Sequence, residues 1–392
     1  MISKEHYFDY AATSPVDEEI VKNALDLSLE HWGNPSSIHE AGTDARKVFE
    51  DARKRAADAL GVKPESIFFT SGGTESDHLA LTSVLSKPQK GSIVISAIEH
   101  PALREMAKMV SLCGWKTITV NPNKDGIVTA EAIAAAVEPD TAFVTVMAVN
   151  NETGAIQPVS EIANALVEKA NGKRKPFFHV DCVQAAGKIP LDFLKNPAVD
   201  SAAFSAHKIG GPRGIGILYL AKDMNSFLKG GGQEKNVRSG TENLFGAEAI
   251  SQCLSKYCIR ENNPASIQRF ENQEKWTEEF ITRLMEIKGC VMIPHCRGKE
   301  TDAAFSPWVV QAAFPGIPGQ VMERALSTKG FYISTGSACS AGHHSRPILD
   351  TMQIPPKEKE SAVRFSFGHD TTKEAMDQLI EAVKEVCQAF FH

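Results

Sequence analysis

The sequence predicts an α/β fold, with a mostly parallel sheet covered by helices. Short apolar runs of strand character occur at residues 67–70, 93–96, 115–120, 141–149, 177–181 and 201–204. Longer stretches with helical spacing of their apolar residues lie between several of them, as the crossovers of a parallel sheet require. The runs end in polar or glycine-containing clusters, where open α/β sheets gather their ligands.

Taken in order, Tyr7-Phe8-Asp9-Tyr10-Ala11-Ala12-Thr13 reads as a short extended segment entering a turn at Ser14-Pro15. A helix is expected over 17–31, then a loop at Gly33-Asn34-Pro35-Ser36-Ser37. Residues 39–60 form an amphipathic helix with Val48, Ala52, Ala56 and Leu60 on one face, and Gly61 ends it. The strand at 67–70 leads into Ser71-Gly72-Gly73-Thr74-Glu75-Ser76 and a helical HLALTSVL. A strand, a Gly-Gly turn and a helix start make an anion cradle, because free N–H groups and the positive helix end face the ligand. The same residues also make a plain helix cap. The strand at 93–96 runs on to His100-Pro101, and the long apolar run 141–149 ends in Asn150-Asn151-Glu152-Thr153-Gly154, which has turn chemistry. Helices are expected at 132–137 and from 159 to about 170. A long helix is expected from 247 across Cys253 and Cys258, continuing as a charged helix to 287. A strand at 308–314, a helix at 321–326 and an amphipathic helix at 374–391 complete the chain. The expected division is a large domain over 15–255 and a small one made of 1–14 and 256–392.

The length of 392 residues suffices for two sizeable cores. A hydrophobic content of 42% and a charged content of 23% are those of an ordinary globular protein. The net charge of −6 argues against a general nucleic-acid binder, since no positive excess is available to neutralise phosphates. The eight cysteines show no C-x-x-C spacing, so reduced and mostly buried thiols are expected. The N-terminus is too polar for a secretory signal, no run of eighteen apolar residues occurs, and the expected compartment is the cytoplasm.

The chemistry centres on Asp181 and Lys208, each at the end of a strand run. A carboxylate and a lysine so placed can face the two ends of one cofactor ring, and pyridoxal phosphate (PLP) needs that pair. The amine links covalently to the cofactor, and the acid keeps the pyridine nitrogen protonated. The run Gly210-Gly211-Pro212-Arg213-Gly214-Ile215-Gly216 after Lys208 suits a backbone that turns tightly or approaches something closely.

HVDCVQAAGKIPLD and SAHKIGGPRGIGILY resemble the cofactor core of the NifS/IscS-type cysteine desulfurases, in the class V aminotransferase-like branch of the PLP enzymes of fold type I. The resemblance runs from YFDYAAT to AVRFSFGHDTT, with separate motifs in the family's order. It implies a large domain with a mostly parallel seven-stranded sheet and a small α+β domain. It places Gly73, Thr74, Ser205 and His207 at the PLP phosphate. His100 stacks on the ring as a candidate acid/base group, Asn151 contacts the phenolic oxygen and the substrate carboxylate, and Gln184 donates to the phenolic oxygen. Asp181 pairs with the pyridinium and Lys208 carries the cofactor. Thr241, in the loop Gly230-Gly231-Gly232-Gln233-Glu234 to Asn243, reaches the phosphate of a neighbouring subunit, which implies a homodimer. Arg364 forks onto the α-carboxylate of L-cysteine.

A second centre is Cys339, in Ser334-Thr335-Gly336-Ser337-Ala338-Cys339-Ser340. Small polar neighbours favour exposure and mobility over burial. The segment resembles the family's loop whose cysteine takes sulfur from the substrate as a persulfide, releasing L-alanine. Downstream, Gly342-His343-His344-Ser345 replaces the family's usual LEPS, which leaves the sulfur acceptor or scaffold protein open. His343-His344 reads as a solvated loop, and no metal site is expected. Two other readings stand beside the desulfurase: a selenocysteine lyase, which shares the cofactor site, and a catalytically weak sulfur-carrier or assembly subunit.

Overall fold

The structure, a computed structural model, describes residues 3–298, 304–336 and 346–391. Asp17 starts the first helix by accepting the Ile20 N–H, so α1 runs Glu18–Glu30. It is followed by α2, Glu40–Leu60, which Gly61 ends in the left-handed conformation. The chain then alternates through β1 (Ile67–Thr70), α3 (Gly73–Thr82), β2 (Ser92–Ser96), α4 (Pro101–Leu112), β3 (Lys116–Val120), α5 (Ala130–Ala136), β4 (Thr141–Thr145), α6 (Val159–Ala170), β5 (Phe177–Asp181), β6 (Ser201–Ser205) and β7 (Gly216–Leu220). These strands form a seven-stranded sheet in the order β1-β7-β6-β5-β4-β2-β3. Only β7 runs against the others, pairing antiparallel with β1 and β6.

The period-two alternation of side chains divides each central strand between two cores. Ile67, Phe69, Val94, Val144, Phe178, Val180 and Ile217 join one cluster, with residues of α1, α2 and α6. Phe68, Ile93, Ile95, Phe143 and Leu218 join the other, with residues of α3 and α4. Both faces are covered, which is why the strands read as continuous apolar runs.

The chain continues through α7 (Leu244–Tyr257), α8 (Pro264–Met285), β8 (Val291–Ile293), β9 (Val309–Ala313), α9 (Gly319–Thr328), α10 (Pro347–Thr351), α11 (Pro356–Ser361), β10 (Ala362–Ser366) and α12 (Lys373–Phe391). A second sheet, ordered β10-β9-β8, is antiparallel. Its core gathers Phe280 and Leu284 of α8, Met322 of α9, Leu379 and Val383 of α12, and Phe8 from the N-terminal segment. That segment is tied down by bridges from Tyr7 to Tyr332 and from Asp9 to Ser366.

Two of the expected elements take a different form. The run 141–149 is regular strand only to Thr145, although Val146 and Ala148 still donate to the carbonyls of His179 and Asp181. Apart from Thr141 and Thr145 it is apolar, because all of it is buried or nearly so. The expected continuous helix over 247–287 is two helices. Asn263 closes one and opens the other: its Nδ2 donates to the Ser255 and Cys258 carbonyls, its Oδ1 accepts from Ser266, and Pro264 takes the first helical position. No helix among the described residues is long and apolar enough to cross a membrane.

Candidate active site

The ends of β5 and β6, and the segments that follow β1, β2 and β4, open into one cavity of about 240 Å³. It is lined by Gly73, Thr74, His100, Asn151, Asp181, Gln184, Ser205, His207, Lys208 and Arg364, together with Ala11, Ala12, Asp77, Met147 and Val183.

One end is the start of α3, whose first-turn N–H groups have no intrahelical acceptors. The cradle is packed too closely for side chains. A Cβ on Gly73 would lie 2.6 Å from Val183 Cγ2, and one on Gly216 would lie 2.6 Å from the Gly72 backbone. Ser205 ends β6 here, and His207 Nδ1 lies 3.1 Å from Thr13 Oγ1. Burial, then the nearby Lys208 cation, pulls His207 down to about 4, so it is neutral at physiological pH.

The middle holds Asp181, the last residue of β5, buried and accepting the Val183 N–H at 2.9 Å. Burial, then the like charge of Asp77, pushes its carboxyl up to about 7. Two residues back on the same strand face, His179 meets Ser201 Oγ at 2.7 Å and Asp77 Oδ1 at 3.1 Å. Burial pulls His179 down to about 4 and raises the Asp77 carboxyl. His100 caps α4: its Nδ1 accepts the Ala102 N–H, which leaves the ring proton on Nε2. Burial, then Lys208 and Arg104, pulls it down to about 4.

The N-terminal segment crosses this region. Lys208 Nζ donates to the carbonyls of Ala11 and Ala12, each at 2.6 Å, and Gln184 Nε2 donates to Ala11 at 2.9 Å. Ala11 N–H in turn donates to Ser366 Oγ at the end of β10.

Arg364, in β10, is almost fully buried. Its Nη1 donates to the Asn151 carbonyl at 2.9 Å and its Nη2 to Asp9 Oδ1 at 2.5 Å. Its Nε and the Asn151 Oδ1 are buried without a hydrogen-bond partner among the described residues. Unsatisfied buried polar atoms are costly, and a ligand carboxylate would satisfy the guanidinium.

Cys339, His343 and His344 lie outside the described residues. The chain leading to Cys339 is anchored at Ser334, which exchanges backbone hydrogen bonds with Arg364. Thr241 does not line the cavity; it is exposed on a loop anchored by Arg238 to Glu75 and by Glu234 to Arg53. Cys182 is fully buried and its thiol pKa is raised by burial, as expected of an inert structural cysteine. Asp77, His179 and Asp9 were not anticipated. Asp77 follows Gly73 by about one helical turn and His179 precedes Asp181 by one strand repeat, so local periodicity could have found both. No local signal pairs Asp9 with Arg364.

Residues 6–379 match the aminotransferase class-V family. The chain is 36% identical to a NifS/IcsS protein homolog from Lactobacillus delbrueckii subsp. bulgaricus, over 98% of this chain and 97% of that one. It is 35% identical to a protein named cysteine desulfurase IscS from Methanosarcina thermophila, over 98% and 93%. Among solved structures, a NifS-like protein superposes with a TM-score of 0.85 at 32% identity, covering 98% of this chain and 100% of that one. A NifS-like protein from Rickettsia africae superposes at 0.82 with 25% identity, covering 98% and 99%.

Proposed function

The chain belongs to the aminotransferase class-V family, and from that premise we propose that it is a PLP-dependent cysteine desulfurase. The observation that carries the reading is a single cavity joining an anion cradle, a buried carboxylate, a lysine amine and a buried arginine. The residues fit the cofactor. Asp181 forms no ion pair among the described residues, and a protonated ring nitrogen is the cation its raised pKa lacks. The α3 N-terminus, Ser205 and His207 suit the phosphate, and neutral His100 can lie against the ring without adding charge. When bound, PLP supplies the electron sink that stabilises a carbanion at the substrate α-carbon.

The protein's residues do the rest. Arg364 and Asn151 hold the α-carboxylate of L-cysteine. The Cα proton goes to the Lys208 amine or to His100. Lys208 is the stronger candidate, because a histidine pulled down to about 4 is a weak base at neutral pH. The thiolate of Cys339 attacks the substrate sulfur: the S–S bond forms, the C–S bond breaks with its electron pair going to the β-carbon, the β-carbon takes a proton, and the base returns the Cα proton to give L-alanine. Cys339 is left as a persulfide, which a thiol or an acceptor protein discharges. Thr241 supports a homodimer, since an exposed loop is where a residue serving another copy's phosphate must lie. The reading includes a cytoplasmic enzyme supplying a sulfur acceptor, such as a scaffold for iron–sulfur cluster assembly.

The test is incubation of the purified protein with L-cysteine and a thiol, assaying alanine and sulfide. Equal amounts of both are expected. Absence of alanine refutes the reading, and turnover of selenocysteine alone moves it to the lyase.

A further inference from the structure

The turn after β5 carries Gln184 and, four residues on, Lys188. Both are buried, at 5% and 4% exposure. Gln184 lines the cavity; Lys188 sits behind it and does not. Lys188 Nζ donates to Gln184 Oε1 at 2.7 Å. Among the described residues the amine meets this one acceptor and no carboxylate. The charged groups that act on it are Lys208 at the end of β6 and Arg364 on β10, and after burial they are the lesser causes that pull its amine down to about 7. Its backbone is fixed from the second sheet's side, where the Trp308 indole N–H donates to its carbonyl at 2.7 Å.

An ammonium has hydrogens to donate and no lone pair to accept with, while a backbone carbonyl only accepts. In its ammonium form Lys188 therefore requires the Gln184 oxygen, and Ala11 O, 2.9 Å from Nε2, requires the nitrogen. The two demands agree and fix which way the amide points. One Nε2 hydrogen is used by Ala11, and the other remains for the cavity. We propose that Lys188 is a positioning residue that locks the Gln184 amide so that an N–H donor faces the cofactor's phenolic oxygen. It touches neither cofactor nor substrate. Burying a lysine against a single acceptor is unfavourable, and a role in orienting that acceptor accounts for it.

The inference rests on PLP occupying the cavity as proposed above. A donor at the phenolic oxygen stabilises its negative charge, so losing the donor favours the protonated form of the bound chromophore. The test is a pH titration of the visible absorption of the holoenzyme, with PLP dissociation measured in parallel. Lys188→Met is expected to raise the midpoint by about one pH unit and to weaken PLP binding severalfold. In a Gln184→Ala background the same change is expected to add nothing, because Lys188 acts only through Gln184. Equal shifts in both backgrounds, or no shift in either, overturn the proposal. If Lys188→Met does not fold, Lys188→Gln decides. Its amide can accept as well as donate and so no longer dictates which way Gln184 points: positioning predicts a raised midpoint that disappears in the Gln184→Ala background, and a wild-type midpoint overturns the proposal. A wild-type protein with no visible band refutes the PLP reading itself, a result distinct from any of these.

Discussion

Asp181→Asn separates what the site does for chemistry from what it costs the fold. Asn keeps the shape, and its oxygen can still accept the Val183 N–H. It removes a carboxyl whose folded pKa is raised from 3.8 to about 7, by burial first and by Asp77 second. The sign follows from linkage. A raised folded pKa means that the folded protein binds the proton more tightly than the unfolded chain, so ionisation favours unfolding. The stability that the neutral carboxyl contributes is fully present below the unfolded pKa and is lost as pH rises to about 7, beyond which the loss is constant. Each pH unit in that window is worth about 1.4 kcal/mol, so the loss between pH 5 and pH 7 is about 3 kcal/mol at most. In cofactor-free protein, Asp181→Asn should therefore gain stability over wild type as pH rises from 5 to 7, with no further gain between 7 and 8. Urea unfolding at pH 5, 7 and 8 measures this. Bound PLP should reduce or reverse the advantage, because a protonated ring nitrogen pairs with the carboxylate and not with the amide. Turnover should fall by at least about tenfold, roughly 1.4 kcal/mol of barrier. Parallel pH curves for the cofactor-free proteins would refute the claim that Asp181 is held against its ionised form.

Four further changes probe the rest of the site. Arg364→Lys loses the fork that spans Asn151 and Asp9, and a lost charge-assisted hydrogen bond of about 1.5–3 kcal/mol should raise KM for L-cysteine roughly 10–100-fold, read from initial rates. Gly216→Ala places a Cβ 2.6 Å from both the Gly72 backbone and the Phe204 carbonyl, so it should destabilise by about 1–3 kcal/mol in a denaturant titration and weaken PLP binding. Lys208→Ala should leave no lysine that borohydride links to PLP, and a pyridoxyl group found elsewhere by peptide mass would reassign the site. Cys339→Ser should bind PLP and L-cysteine, seen as a spectral shift, yet release no alanine; alanine at the wild-type rate would remove Cys339 from the mechanism.

Much of the cavity wall was legible because strand ends define it. Asp181 closes β5 and Ser205 closes β6, so a boundary read from hydrophobicity also places a side chain at the ligand edge. The anion cradle was legible for the same reason, since β1 runs into a glycine, Gly73, where a Cβ would collide with the Val183 side chain. Strand β7 was not read as a strand: its first residue, Gly216, closes the glycine-rich run after Lys208, and its antiparallel place between β1 and β6 is set by pairing across the fold.

The residues that went unread share a different property, which is that their partners are distant in sequence. Asp9 reaches Arg364 across 355 positions, and Ala11 reaches Gln184 across 173 and Lys208 across 197. No window on the sequence contains both members of such a pair. Their common feature is the N-terminal segment, which offers carbonyls and one carboxylate to the cationic groups of the cavity and packs Phe8 into the second core. Lys208 and Arg364, the residues proposed to carry the cofactor and to hold the substrate, are thus both tied to residues 9–12. Anything that displaces this segment removes acceptors from the partly buried Lys208 and the buried Arg364 at once. The cavity's two chemical ends are therefore coupled through the backbone of a segment whose own sequence, read alone, suggests only an extended entry into a turn.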